Sequence, residues 1–347
     1  MGDNNSNMLI YQRDDQNDKI LDFDIRGLHV ERVVYNKHVP NLKEQLVTQI
    51  IDSKGDLKGL NRLVKDAVDF TLLSYPNVED HNALLGVVMW NLFGFFLDDF
   101  LDGHTTQQAY WVRKWKQNIT VGHSSGTDFL DLFFNKLCAQ MNKILSEKLI
   151  RMHNSWYIKY LDYYAETKKV KTGDHMYTMA EYDALRIIDS LYDIIPIFLC
   201  GSSKFDPDEY PEIVTDEAWT MFNTWAARHA YYVNDLYSSK KETLQHQGKF
   251  NLIYVIMSND KCDAQTAADK TVTMIAEAWT MVIKYADMLR LHNIPLLRQY
   301  ITDIKCMLKG NLYWSSITPR TNNTISLSAL SSPVGLAHGL AYVHYGA

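Results

Sequence analysis

Glycine and proline are scarce, 16 and 8 residues in a chain of 347. That excludes collagenous and low-complexity classes and argues against a turn-rich β-sandwich. The four cysteines, Cys138, Cys200, Cys262 and Cys306, lie far apart with no C-x-x-C pair. Zinc ribbons and thioredoxin-like redox sites are therefore excluded, and reduced thiols are expected. No lysine- or arginine-rich block breaks a net charge of −6, so the electrostatic footprint of a nucleic-acid binder is missing. The 12 histidines form no H-E-x-x-H or other paired zinc spacing. G-x-S-x-G, Walker and G-x-G-x-x-G patterns are also missing. The most apolar stretch, residues 83–97, is interrupted by Asn91 and ends in two aspartates, and a membrane span needs roughly 20 residues. Residues 1–18 carry no hydrophobic leader segment. A cytoplasmic protein without a membrane span or a nucleic-acid partner is expected.

What the chain does have is apolar and aromatic mass. Hydrophobic residues make up 46%, and the rings comprise 8 Trp, 21 Tyr and 13 Phe. Bulky rings are seldom spent on solvent-facing surface, so this surplus must line something. From about residue 40 to 315 the periodicity is helical. In 60–73, Leu60, Leu63, Val64, Ala67, Val68 and Leu72 fall on one stripe. Segments 128–149, 154–166, 178–200, 215–246 and 266–291 also read as helices. The expected fold is all-α: a single-domain antiparallel bundle over residues 21–320 around a central apolar cavity. Residues 1–20 are polar and expected to be disordered, and 321–347 form a tail that is either disordered or a loosely packed cover.

Three helical segments, 83–101, 183–200 and 223–237, are apolar nearly all round and belong at the centre of the protein. Each nevertheless carries ionisable residues, and an unpaired buried charge is costly. In NLFGFFLDDFLD (91–102) Asp98 and Asp102 share one helix face, with Asp99 beside them. Such a cluster repels itself unless a cation intervenes. In VNDLYSSKKE (233–242) Asn234, Ser238 and Glu242 fall at i, i+4 and i+8. That stripe presents an amide oxygen, a hydroxyl and a carboxylate, hard donors suited to Mg²⁺, with Lys241 nearby. Arg186 and Asp189 share a face in ALRIIDSLYDIIPIF. Phe95 and Phe96 precede Asp98 and are candidates to line a pocket beneath it; Phe93, Trp225 and Tyr231 are weaker ones, and Met89 reads as core.

Together these motifs resemble class I terpene synthases. The D-D-x-x-D motif is Asp98, Asp99 and Asp102. The N-D-x-x-S-x-x-K-E motif is Asn234, Asp235, Ser238, Lys241 and Glu242. The resemblance implies a helical bundle that ionises and cyclises a linear prenyl diphosphate, farnesyl slightly favoured over geranylgeranyl diphosphate. It implies three Mg²⁺ ions, with Mn²⁺ as a possible substitute, held by Asp98, Asp99, Asp102, Asn234, Ser238 and Glu242. Arg186, 48 residues before Asn234, stands where the family has a diphosphate sensor. Asp189 follows as linker and Ser190 as effector, where glycine is common. By the same analogy, Asp99 or Asp102 pairs with Arg186 on closure. In GNLYWSSITPRT, Trp314 corresponds to a cavity wall and Arg320 to a diphosphate ligand beside Lys241 and Arg186, with Thr321 where tyrosine is usual. Phe95, Phe96 and Trp314 would stabilise the carbocation. A monomer or homodimer is expected. The alternatives are a chain-elongating prenyl diphosphate synthase, against which the second motif argues, and a non-catalytic helical prenyl-binding or scaffold protein.

Overall fold

The computed structural model describes residues 23–37, 41–52, 60–103, 108–171, 175–244 and 248–318. Most of both expected tails, including all of 321–347, lies outside this set. Thirteen α-helices and no strand occur among the described residues: α1 (Leu42–Asp52), α2 (Leu60–Ser74), α3 (His81–Gly103), α4 (Gln108–Val121), α5 (Phe129–Ile144), α6 (Glu147–Lys171), α7 (Met179–Asp189), α8 (Ile195–Ser203), α9 (Pro211–Val214), α10 (Glu217–Leu244), α11 (Leu252–Asp260), α12 (Ala264–Arg290) and α13 (Pro295–Ile317). None of them is long and apolar enough to cross a membrane.

Helix α10 is the spine, packed along α12 and against α13; α2 lies between α3 and α13, and α3 rests on α5. The short connection from α2 to α3 returns the chain beside itself, which makes these neighbours antiparallel. Asn36, in the extended segment before α1, clamps that corner by donating from Nδ2 to the Tyr75 and Val78 carbonyls at 2.6 and 2.8 Å. On the other side of α2, Gly310 lets α13 approach closely. A Cβ there would sit 2.4 Å from the Leu73 carbonyl oxygen.

Two segments that read as single helices are broken. The 128–149 stretch becomes α5 and α6, because Leu145 turns extended (φ −113°, ψ 142°) and the Ser146 hydroxyl accepts from the Leu149 amide. The 178–200 stretch ends as α7 at Asp189, passes through a 3-10 turn at Tyr192–Ile194 and restarts as α8. Leu191 there is left-handed (φ 53°), a conformation costing a branched residue roughly 1–3 kcal/mol. Pro196, in the first turn of α8, is the sequence signal for that restart. Helix starts follow the usual oxygen rules: Thr178 and Glu181 form a reciprocal capping box on α7, and Asp263 caps α12. Helices α4 and α13 lie within the broadly helical region but do not stand out in the sequence.

Two histidines are enclosed by this packing. Burial holds His229, on α10 against Trp279 of α12, down at about 3. Burial likewise lowers His153 to about 4, although its contact with Asn154 opposes the shift. Unfolded histidine takes a proton near pH 6.5, while these sites do not until the pH is far lower. Stability is therefore lost as pH falls below 6.5, by about 1.4 kcal/mol per pH unit for each histidine. Urea titrations between pH 6.5 and 4 should show His229→Gln with a slope shallower than wild type by that amount; parallel slopes would contradict it.

Candidate active site

The site grows from α10. Asn234, Ser238 and Glu242 line one cavity of about 320 Å³, with Lys241 beside them. Ser238 donates its hydroxyl to Glu242 Oε1 at 2.5 Å, and Asn251 Nδ2 donates to Glu242 Oε2 at 3.0 Å. Hydroxyl and carboxylate are thus already drawn together. Among the described residues no three His, Cys, Asp or Glu side chains converge as a metal-binding group. The donor set on this wall is instead mixed amide, hydroxyl and carboxylate, which suits a hard cation completing its shell with water and phosphate oxygens.

One residue round the helix, Asp235 is fully buried. Its carboxylate accepts from Tyr182 Oη at 2.6 Å, from Arg186 Nε at 2.9 Å and Nη2 at 2.6 Å, and from the Leu252 amide at 2.8 Å. Arg186 Nη2 also donates to Asn234 Oδ1, and Nη1 to Asp189 Oδ2, each at 2.7 Å. Burial opposes the arginine's charge, but the Asp235 and Asp189 carboxylates more than offset it and hold its pKa above the usual range. Burial pushes Asp235 the other way, up to about 6, with the Arg186 guanidinium pulling it back. Three helices, α7, α10 and the start of α11, are tied at this one point.

Beside Arg186, Asp189 and Ser190 also face the cavity. Ser190 is the C-cap of α7; its hydroxyl donates to the Ile187 carbonyl at 3.0 Å and accepts from the Tyr192 amide at 3.2 Å. Serine thus stitches together the helix break that brings Leu191 and Tyr192 into the wall. The remaining wall is aromatic. Phe95 stacks on Trp314 (centroids 6.5 Å, planes 10° apart), and Phe70 meets Trp314 edge-on at 5.1 Å. Trp90, Tyr160, Tyr231 and Phe250 extend that lining.

Residues 89–281 match the family described as terpene synthase family 2, C-terminal metal binding. This chain belongs to that family. Over 166 residues the chain is 26% identical to (+)-(1(10)E,4E,6S,7R)-germacradien-6-ol synthase of Streptomyces pratensis. That alignment takes in 48% of this chain and 44% of the relative, under half of that enzyme's length. Its fold is similar to 2-methylisoborneol synthase of Streptomyces coelicolor A3(2), solved with Mg²⁺ and 2-fluoroneryl diphosphate. The TM-score is 0.73 at 16% identity, covering 85% of this chain and 97% of that one. Linalool/nerolidol synthase of Streptomyces clavuligerus, solved with 2-fluorogeranyl diphosphate, gives a TM-score of 0.69 at 11% identity over 81% and 100%.

Nine of the residues singled out from the sequence meet at the cavity: Phe95, Arg186, Asp189, Ser190, Asn234, Ser238, Lys241, Glu242 and Trp314. Phe96 does not. Among the described residues the wall omits it, and its ring packs edge-on against Phe129 and Phe133 of α5. It lies about 100° round α3 from Phe95, on the face that α3 turns to α5. Of the weaker candidates, Tyr231 lines the cavity. Phe93 is core against Trp115, Phe134 and Tyr157, and Trp225 lies under the Arg228 guanidinium. Met89 is buried in the core. Asp98, Asp99 and Asp102 follow Phe95 on the last turns of α3, but their side chains, like Arg320 and Thr321, lie outside the described residues. Two functional neighbours escaped the sequence reading: Asp235 as the partner of Arg186, and Asn251, whose only signal is an asparagine before the apolar run of α11.

Removing the acceptor at the centre of this network should be severe. Asp235→Ala strands Tyr182, the Leu252 amide and part of Arg186, and breaking a buried ion pair costs about 3–5 kcal/mol. Tyr182→Phe, which deletes one donor, should cost about 1 kcal/mol. Denaturant midpoints will check both, and equal losses would contradict the hierarchy.

Proposed function

We propose that this terpene synthase ionises a linear prenyl diphosphate with Mg²⁺ and cyclises the resulting carbocation, releasing diphosphate. The observation that carries the reading is a single cavity whose rim holds Arg186, Lys241 and the Asn234–Ser238–Glu242 stripe, and whose wall is aromatic. A charged head and a hydrocarbon tail are accommodated in one continuous hollow. Its volume of about 320 Å³ falls within the range of small-molecule pockets; between C15 and C20, the family resemblance slightly favours the farnesyl chain.

The barrier to ionisation is electrostatic, because the leaving diphosphate gathers negative charge. Asn234 Oδ1, Ser238 Oγ and Glu242 would hold metal from the α10 side, with Asp98, Asp99 and Asp102 at the end of α3. When bound, Mg²⁺ supplies Lewis-acid polarisation and charge neutralisation of phosphate oxygens; three ions are the number the family resemblance implies. Arg186 offers a planar fork and Lys241 a point charge to the diphosphate, and Arg320 is a third cation for it. Arg186 must share itself with Asp189, Asn234 and Asp235, so its guanidinium is oriented before the substrate arrives. The walls then exclude water, and the faces of Phe95, Trp314 and Tyr231 stabilise positive charge by roughly 0.5–2 kcal/mol each.

Incubation with C10, C15 and C20 prenyl diphosphates and Mg²⁺ should release diphosphate and yield cyclic terpenes on gas chromatography, fastest with C15. Chelation should abolish turnover, and Mn²⁺ should restore part of it. Glu242→Gln should lower diphosphate release at least 100-fold with unchanged helicity by circular dichroism. Trp314→Ala should change the product distribution more than the rate. A longer prenyl diphosphate formed from dimethylallyl and isopentenyl diphosphates would overturn this reading in favour of chain elongation.

A further inference from the structure

Two side chains in the cavity wall do not match its aromatic lining. Asn91 on α3 and Asn311 on α13 are 7% and 9% exposed, and both face the cavity. Each amide nitrogen is committed to an atom that can only accept. Asn91 Nδ2 donates to Thr71 Oγ1 at 3.1 Å, and the Thr71 hydroxyl proton is already given to the Ala67 carbonyl at 2.8 Å. Asn311 Nδ2 donates to the Ala230 carbonyl at 3.2 Å. These partners settle which end of each amide is nitrogen. Each carboxamide oxygen therefore points away from that partner, and among the described residues no protein donor meets it.

Their height in the cavity follows from the helices that carry them. Asn91 stands one turn before Phe95 and two turns before Asp98 on α3. Asn311 reaches α10 at Ala230, one turn before Asn234. Both lie deeper than the rim where the diphosphate would sit. An acceptor left bare among rings is costly to bury, and a held water molecule removes that cost. A water donating one O–H to a carboxamide oxygen keeps its lone pairs free for the cavity interior.

We propose that Asn91 and Asn311 hold water deep in the cavity, and that this water captures the final carbocation to give a terpene alcohol. The inference rests on the reading that a prenyl diphosphate is ionised here. In the capture step a water lone pair forms the new C–O bond. One O–H bond of the resulting oxonium then breaks, and its proton passes to the released diphosphate. No oxidant or reductant is consumed. Asn91 and Asn311 act as positioning residues for the water.

The test uses the full chain with Mg²⁺ and farnesyl or geranylgeranyl diphosphate in ¹⁸O-labelled water, with diphosphate release followed in the same samples. The expected main product is an alcohol heavier by one ¹⁸O label in mass spectrometry. Asn91→Leu and Asn311→Leu, which keep the side-chain volume, should each lower the alcohol-to-hydrocarbon ratio at least tenfold. That ratio is read on molecules already converted, so loss of folded protein does not move it. Diphosphate release with hydrocarbons alone from the wild type would overturn the proposal while leaving the cyclase reading intact. An alcohol whose ratio is unchanged in both variants would overturn the assignment to these amides. Absence of diphosphate release from either substrate would overturn both readings together.

Discussion

The Arg186–Asp235 pair, its carboxylate enclosed and its guanidinium at the cavity edge, is the contact on which the rest of the site depends. Charges in a low-dielectric interior persist only when they are paired and their remaining hydrogen-bonding positions are filled. Here the filling comes from three directions: Tyr182 on the same helix as Arg186, the first amide of α11, and Asn234 on the spine helix. The requirement to satisfy one carboxylate thus sets where α7 and α11 meet α10. The cation at the cavity edge is consequently a fixed element of the scaffold, and the Asn234–Ser238–Glu242 stripe next to it inherits the same rigidity.

Much of this arrangement was legible because charge inside apolar sequence has few physical outcomes. The stripe on 233–242 announced itself through helical spacing. Arg186 did so through its apolar surroundings; the meaning of its distance from Asn234 came only with the family resemblance. What stayed hidden depends on direction within helices that are apolar on every side. Such a helix has no preferred face, so Phe95 and Phe96 are equivalent on paper; only the packing of α3 on α5 separates them. The break after Asp189 was obscured for a related reason. Its residues continue the apolar pattern without pause, and the single warning, Pro196, sits beyond the break.

Asp235 illustrates another limit. Its place within the second motif was plain, but the motif points toward metal, whereas the side chain turns the opposite way, toward Arg186 and Tyr182. Neighbouring positions on one helix serve two separate tasks: Asn234 at the cavity, Asp235 in the interior. Asn251 lay further out of reach, since nothing local in the sequence connects it with Glu242 nine positions earlier.

Helix α3 has one property that reaches beyond the site. It is an unbroken rod on which Asn91, Phe95 and Asp98 stand at spacings of four and three residues. At 1.5 Å per residue the interval from Asn91 to Asp98 is about 10 Å, and backbone hydrogen bonds prevent it from stretching. For the prenyl diphosphate proposed above, the helix would act as a ruler. A longer or shorter chain would then be accommodated by trading the bulk of individual side chains that face the cavity, since the two ends of the rod cannot slide apart.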